Sequence, residues 1–264
     1  MALTDQDFEI MGFVPGAADL PDQWEEEATA FRAREAALGR ARLNVGYGAG
    51  ERQKFDLFHP GGKAEGLIVF IHGGYWMRFD RTIWSHYAAG LTARDWAVAM
   101  PSYTLAPEVR ISAITREIAR AVEAAAALVP GPIRITGHSA GGHLTARMGC
   151  RDVVLQTEVR QRIARLLPIS PVTDLRPLIG TGRNDTLHLD AEEAEAESPL
   201  LQAAPEAPVS IWVGSEERPV FLDQAEALAR HWKAEHRVDP GRHHFDILDG
   251  LTDPDSPLIA SLLR

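Results

Sequence analysis

A serine flanked by glycines is the residue of this chain whose surroundings most clearly favour chemistry. Ser139 lies at the centre of the segment GHSAG, residues 137–141, and follows the apolar, β-branched run 133–136. The residues after it have helical character, so the serine is expected on a tight strand–turn–helix elbow. Such an elbow strains the backbone and exposes the hydroxyl, and a Cβ at either flanking position would crowd the turn. The pattern therefore predicts Ser139 as a nucleophile that attacks a carbonyl carbon.

A base for that serine must come from another part of the chain. A hydroxyl is a weak nucleophile at neutral pH and needs a histidine to take its proton and a carboxylate to orient that histidine. After this kind of elbow the chain order is serine, acid, histidine. Of the histidines after Ser139, only His243 and His244 lie in a loop that follows the predicted last strand. Catalytic groups gather at the carboxyl ends of parallel strands, so one of these two histidines is the expected base.

The acid is expected in the loop GSEE, residues 214–217, which follows the predicted strand 209–213. Either glutamate of this loop could orient the histidine, and Glu217 is preferred over Glu216. Glu217 could instead cap the helix that is predicted to start two residues later. Asp174, after the preceding strand, is a less favoured candidate.

Backbone N–H groups are expected to hold the oxyanion that forms when the serine attacks. Ala140, directly after the serine, supplies one of them. The loop HGGYW, residues 72–76, follows a buried apolar strand and has the composition of an oxyanion loop. Its Gly74 and Tyr75 are expected to supply the other N–H groups, with Gly73 making room for them. Three histidines beside these motifs are interpreted as loop-positioning residues: His72, His138 and His143.

Aromatic side chains directly after the oxyanion loop suggest what the site binds. Tyr75, Trp76 and Phe79 are predicted to contact the substrate, although Trp76 could equally pack in the core under the loop. Contact between two aromatic rings contributes favourable free energy in addition to that from burial of their surface. These side chains therefore favour a substrate with an aromatic leaving group. Residues 174–204 are expected to roof the same pocket and limit the length of the acyl chain.

The elements that must position these residues alternate along the chain. A hairpin is predicted from 43–47 and 54–58, and buried apolar strands then alternate with amphipathic helices. This order predicts an α/β fold with a mostly parallel central sheet and helices on both faces. Residues 1–40 form a helical lead-in, and the acidic segment 174–204 is predicted to be a small cap-like insertion above the sheet, with its charge run on a solvated helix face. At 264 residues the chain is expected to form a single domain.

The composition restricts the partners that the chain could have. Its net charge is −10 without a basic cluster, so a nucleic-acid partner is not expected. It has one cysteine and no Cys/His spacing typical of zinc, and a metal held by His243, His244 and Asp246 is a weaker alternative. The N-terminus lacks the regions of a secretory signal, and no apolar run is long enough to cross a membrane. We therefore expect a cytoplasmic protein that acts on a small-molecule ester or amide and needs no cofactor or metal, and assembly into a homo-oligomer is left open.

Three segments, HGGYW at 72–76, GHSAGGHL at 137–144 and HHFDIL at 243–248, carry a family resemblance. The chain resembles the α/β-hydrolase superfamily, and more closely the kynurenine formamidase (arylformamidase)-type esterases and their hormone-sensitive-lipase-like relatives. The likeness extends over roughly residues 40–250. It also includes VGYGAGERQKFDLFHP at 45–60, SYTLAPE at 102–108, SPVTDLRPL at 170–178 and DAEEAEAESPL at 190–200.

The resemblance implies an α/β-hydrolase fold and assigns roles to particular residues. It implies Ser139 as the nucleophile, His244 before Phe245 as the base, and Glu217 as the acid, a position where relatives more often carry Asp. The expected activity is that of a serine hydrolase that cleaves a small carboxylic ester or an aryl formamide through an acyl-enzyme. The alternatives are a thioesterase, a lactone or carbamate hydrolase, an acyltransferase, and a hydrolase-like protein that only binds a small ligand.

Overall fold

The apolar runs of the sequence form the centre of an eight-stranded sheet in the computed structural model, which describes residues 3–264. The spatial order of the strands is β1-β2-β4-β3-β5-β6-β7-β8. Strand β2 runs antiparallel to β1 and β4, and the other neighbours are parallel, as predicted from the alternation. The strands are β1 Ala41–Gly46, β2 Lys54–Phe58, β3 Leu67–Ile71, β4 Ala97–Pro101, β5 Ile133–His138, β6 Ile163–Ile169, β7 Ser210–Gly214 and β8 Glu235–Asp239.

Helices connect and cover these strands. The α-helices are α1 Leu20–Ala37, α2 Ala89–Thr92, α3 Ile111–Leu128, α4 Ala140–Gly149, α5 Thr157–Arg162, α6 Asn184–Leu187, α7 Ala191–Ala196, α8 Pro219–Trp232 and α9 Pro257–Leu263. Short 3-10 helices occupy Ala17–Asp19, Arg81–Ala88, Arg176–Gly180, Pro199–Leu201 and Asp246–Leu251. The predicted α/β-hydrolase fold is therefore confirmed. Within residues 3–264, no helix is both long and apolar enough to cross a lipid bilayer.

The register of the central strands brings the two glycine-rich loops together. Strand β3 lies between β4 and β5, and its side chains are buried on both faces, which is why the run is apolar at every position. Ile71 at the end of β3 pairs with Gly137 near the end of β5. The loop that follows β3 therefore starts beside the elbow that follows β5.

The N-terminal helix packs on the domain rather than standing apart. Trp24 on α1 lies 4.8 Å from the ring of Trp84 and 5.6 Å from that of Phe245. The helix begins at Leu20, and its N-cap is Asp19 without a side-chain hydrogen bond. Asp22 lies inside the first turn, where a negative charge interacts favourably with the helix dipole.

The acidic segment between β6 and β7 differs from its prediction. Asp190 caps α7, but Glu193 and Glu197 are buried rather than solvated. Glu193 pairs with Arg110 at 2.7 Å, and Glu197 pairs with the buried Arg147 at 3.1 Å. The interpretation as a solvated face holds for Asp190, Glu192 and Glu195, which are exposed. It fails for Glu193 and Glu197 because their arginine partners lie 50 or more residues away in sequence and approach only in the folded chain.

The lowered pKa values of four buried histidines determine how the stability of the fold depends on pH. Burial lowers the pKa of His72 and His86 to about 4 and that of His143 to about 3. Burial, together with the neighbouring His244, lowers the pKa of His138 well below its ordinary value of 6.5. Unfolding exposes all four rings, so below pH 6.5 the unfolded chain binds protons that the folded chain does not. Stability is therefore fully present above pH 6.5 and is lost as the pH falls toward 4.

The expected result is a melting temperature that drops steeply between pH 6.5 and 4.5. Each such histidine contributes a slope of up to about 1.4 kcal/mol per pH unit. Calorimetry across this range, with proton uptake on unfolding measured at pH 5.5, checks the expectation. A flat melting temperature with no proton uptake would contradict it.

Candidate active site

Ser139 lies on a strained elbow between β5 and α4. Its backbone has φ 56° and ψ −115°, a conformation that costs of order 1–3 kcal/mol for a residue with a side chain. A Cβ on Gly141 would lie 2.0 Å from the carbonyl oxygen of Ile71, and one on Gly137 would lie 2.5 Å from the carbonyl oxygen of Gly141. The flanking glycines are therefore required by the close approach of β3 to the elbow.

A buried carboxylate–histidine pair lies at the carboxyl ends of β7 and β8. His244 Nδ1 lies 2.6 Å from Glu217 Oε2, and the side chains are 3% and 0% exposed. The other carboxylate oxygen of Glu217 accepts hydrogen bonds from Ser170 Oγ at 2.5 Å and from the backbone N–H of Gly214 at 2.9 Å. Both carboxylate oxygens of Glu217 therefore have hydrogen-bond partners. A buried charge needs such partners to compensate for the loss of its hydration.

The neighbouring candidates lie apart from this pair. Glu216 is exposed, and Asp174 forms a salt bridge with Arg176 at 2.8 Å. His243 Nδ1 accepts hydrogen bonds from the backbone N–H groups of Phe245 and Asp246, which makes His243 part of the loop's own structure. Of the residues considered from the sequence, the structure pairs Glu217 with His244.

Ser139 and His244 meet at a cavity of about 350 Å³. The Ser139 hydroxyl makes no hydrogen bond to the residues that the structure describes, and such contacts often tighten only when substrate is bound. The cavity is lined by Glu9, Ile10, Met11, Pro21, Gly74, Tyr75, Met77, Arg78, Phe79, Trp84, His138, Ser139, Arg183, His244 and Phe245.

The HGGYW loop is folded closely against the elbow. A Cβ on Gly73 would lie 3.2 Å from Ser139 Cβ, and Gly74 has a φ of 111° that favours glycine. Within residues 3–264, the backbone N–H groups of Gly74, Tyr75 and Ala140 donate to no backbone oxygen. These three donors beside Ser139 are thus free to bind an oxyanion.

The histidines around the elbow differ in what they contact. The His72 ring stacks on Tyr103 at 4.3 Å, and His143 Nε2 lies 2.7 Å from the carbonyl oxygen of Glu197. His138 lines the cavity with its ring 4.5 Å from that of His244, and its ring nitrogens have no hydrogen-bond partner among the described residues. Because burial keeps His138 neutral, it does not repel a positive charge on His244.

The aromatic residues after the loop are divided between the cavity and the core. Tyr75 and Phe79 line the cavity, but Trp76 is fully buried and packs edge-on against His143 at 5.1 Å. Trp76, predicted to contact the substrate, therefore lies in the core under the loop, which is the alternative that the sequence left open. Two cavity rings, Trp84 and Phe245, were not predicted to contact the substrate. Trp84 adjoins no motif, whereas Phe245 directly follows His244 and could have been inferred from that position.

The N-terminal segment covers more of the cavity than the predicted roof does. Glu9, Ile10 and Met11 line the cavity, whereas residues 174–204 contribute only Arg183. The carbonyl oxygen of Phe8 accepts hydrogen bonds from Tyr75 Oη at 2.6 Å and from Arg183 at 3.0 Å. The expectation that residues 174–204 roof the pocket is corrected accordingly. Among the described residues, no group of three or more His, Cys, Asp or Glu side chains is arranged to hold a metal ion.

Comparisons with known proteins place this geometry in a family. A protein-family model described as alpha/beta hydrolase fold matches residues 68–244. Kynurenine formamidase from Salmo salar is 27% identical over 249 residues, covering 88% of this chain and 84% of that protein. Kynurenine formamidase from Danio rerio is 25% identical and covers 92% of each chain.

Solved structures resemble the chain as well. The crystal structure of a proposed thioesterase from Silicibacter sp. tm1040 has a TM-score of 0.95 and 49% sequence identity, and covers 98% of each chain. Esterase B from Lactobacillus rhamnosis shares the fold, with a TM-score of 0.68 and 18% identity over 92% of this chain and 93% of that chain. The family match spans more than half of the chain, so the protein belongs to the alpha/beta hydrolase family and is a hydrolytic enzyme of that fold.

Proposed function

We propose that this protein is a serine hydrolase that cleaves a small carboxylic ester or an aryl formamide through an acyl-enzyme. The observation that carries the proposal is the buried 2.6 Å contact of His244 Nδ1 with Glu217 Oε2, at a cavity that also contains the strained Ser139. Serine, acid and histidine occur in the chain order that this fold uses. The substrate is a small molecule that enters this cavity.

The chemistry divides into two acyl transfers. The Ser139 oxygen attacks the carbonyl carbon while His244 takes the hydroxyl proton, and Glu217 stabilises the resulting imidazolium. The N–H groups of Gly74, Tyr75 and Ala140 hold the oxyanion. The carbonyl re-forms, the bond to the leaving group breaks, and His244 gives its proton to the leaving alcohol or amine. Water then attacks the acyl-serine by the same route, which releases the acid and restores the serine.

The cavity favours a short acyl group and a flat leaving group. Its volume of about 350 Å³ is near the lower end of small-molecule sites, and Phe79, Trp84 and Phe245 offer ring faces or edges to an aromatic group. The similarity to kynurenine formamidases supports an aryl formamide as one substrate class.

A thioesterase is the second candidate function. The relative with 49% identity, described as a proposed thioesterase, favours this reaction. The same three residues would cleave a thioester, because the sulfur leaving group needs no change in how the acyl carbonyl is held.

A hydrolysis panel tests the substrate class. We expect N-formylkynurenine and aryl acetates to exceed octanoyl esters in kcat/KM by at least about tenfold, the scale on which a pocket discriminates by size. Ile10→Ala, which widens the cavity, should narrow this preference. Val14→Ala is the matched control, because Val14 is buried in the same segment without lining the cavity.

Two outcomes of the panel would overturn the preferred substrate class. Faster cleavage of octanoyl than of acetyl esters would make the cavity a lipid groove. Faster cleavage of short acyl thioesters of coenzyme A than of either oxygen ester or formamide would establish the thioesterase instead.

A further inference from the structure

Ser170 is a fully buried hydroxyl that lies directly behind the proposed acid. It follows β6, and its Oγ donates to Glu217 Oε1 at 2.5 Å. Its backbone N–H donates to the carbonyl oxygen of Trp212 at 2.7 Å, which fixes the residue to β7. Its φ of 46° lies in the left-handed region, which is unfavourable for a residue with a side chain. The chain therefore holds a strained backbone at the point where this hydroxyl reaches the carboxylate.

The loop that carries Ser170 is itself fixed. Gln224 on α8 accepts hydrogen bonds from the backbone N–H groups of Thr173 at 2.5 Å and Asp174 at 2.9 Å. The acid, Glu217, comes two residues before the start of α8. The loop that carries Ser170 and the segment that carries Glu217 therefore both adjoin α8.

A glutamate needs such a restraint more than a shorter acid would. Its side chain has an additional rotatable bond, and ordering a glutamate costs conformational entropy. Ser170 and the N–H of Gly214 hold Oε1, which leaves Oε2 directed at His244 Nδ1. Rotation of the carboxylate away from His244 would break these bonds together.

We propose that Ser170 is a positioning residue whose hydroxyl fixes the Glu217 carboxylate on His244. This inference rests on the proposed function, in which Glu217 is the acid. Ser170 touches neither substrate nor the reacting atoms in this role, and acts only through Glu217. A hydrogen bond to a charged group is among the stronger ones in a protein, so its loss should be visible in the rate.

The test uses two variants of Ser170 with steady-state kinetics on an aryl acetate. Ser170→Ala should lower kcat about ten- to hundredfold, the range that one hydrogen bond to a charge provides, with KM changed less than about threefold. Ser170→Gly should lose the same activity, while its melting temperature holds because glycine accepts the φ of 46°. Ser210→Ala is the matched control, since Ser210 is a buried serine that donates to another glutamate, Glu235, at 2.7 Å, and should retain full activity.

A second comparison separates positioning from a general weakening of the fold. In the background of Glu217→Gln, adding Ser170→Ala should cause no further loss, because residues that act as a unit are not additive. If the losses of the two substitutions multiply in the double variant, Ser170 does not act through Glu217. If both Ser170 variants keep full kcat while Glu217→Gln is inactive, Ser170 has no positioning role. Either result would leave the proposed triad intact. Full activity of Glu217→Gln itself would overturn the proposed triad instead.

Discussion

Replacing Ser139 with alanine is expected to lower kcat by about 10⁴- to 10⁶-fold, which is the typical cost of removing a triad nucleophile. Without the hydroxyl there is no atom to carry the acyl group, and only binding and the oxyanion donors remain to assist direct attack by water. The fold should persist, because alanine meets the same backbone strain at φ 56° and the hydroxyl forms no hydrogen bond with the described residues. Rates on an aryl acetate and melting temperatures measure both effects.

A second buried serine serves as the control for this variant. Ser261 on α9 is 3% exposed and does not line the cavity, so Ser261→Ala should retain its kcat. If Ser139→Ala were folded and still active, Ser139 would not be the nucleophile.

Replacing Glu217 with glutamine is expected to lower kcat by about 10³- to 10⁴-fold without unfolding the chain. Glutamine has nearly the same shape, but it lacks the charge that stabilises the His244 imidazolium. It can still accept the bonds from Ser170 Oγ and the Gly214 N–H. Stopped-flow or steady-state rates with circular dichroism check the expectation.

The adjacent glutamate provides a matched control for this change. Glu216→Gln removes the same charge one residue earlier on an exposed side chain, and should alter kcat less than about twofold. A large loss at Glu216 or Asp174 with none at Glu217 would show that the acid has been misassigned.

The sheet could be predicted from the sequence because its signals are local. Continuous apolar runs such as 67–71 and 97–101 indicated strands buried on both faces, and both runs form strands β3 and β4 with these bounds. The hairpin before them and the helix after Ser139 followed from similarly local patterns. The choice of α/β fold needed only the order of these elements.

The parts that were missed depend on contacts between distant residues. Trp76 and Phe79 are only three residues apart, yet the first packs in the core and the second lines the cavity. Nothing in the spacing separates them, because the side chains that each ring packs against, His143 for Trp76 and Trp24 and Trp84 for Phe79, come together only in the folded chain. That Ile10 and Met11 line the cavity could not be predicted from the sequence either. Their position depends on the hydrogen bond that Tyr75 Oη donates to the carbonyl oxygen of Phe8, which is distant in sequence.

The choice among neighbouring polar residues also needed the folded chain. Glu216 and Glu217 are adjacent in the sequence, and only the latter turns inward to His244. Ser170 could have been noticed as a polar residue directly after a buried strand, at the edge of the sheet where site residues gather. Its partner, however, lies 47 residues further along the chain.

Covalent labelling distinguishes Ser139 from every other residue that could carry the acyl group. An organophosphonate that mimics the tetrahedral intermediate is incubated with the protein, and the digested peptides are mapped by mass spectrometry. We expect one adduct per chain, on Ser139, that is absent from Ser139→Ala and forms much more slowly in Glu217→Gln. An adduct on another residue would show that Ser139 does not carry the acyl group. Rapid hydrolysis of an aryl acetate by Ser139→Ala, which cannot form the adduct at this position, would show the same.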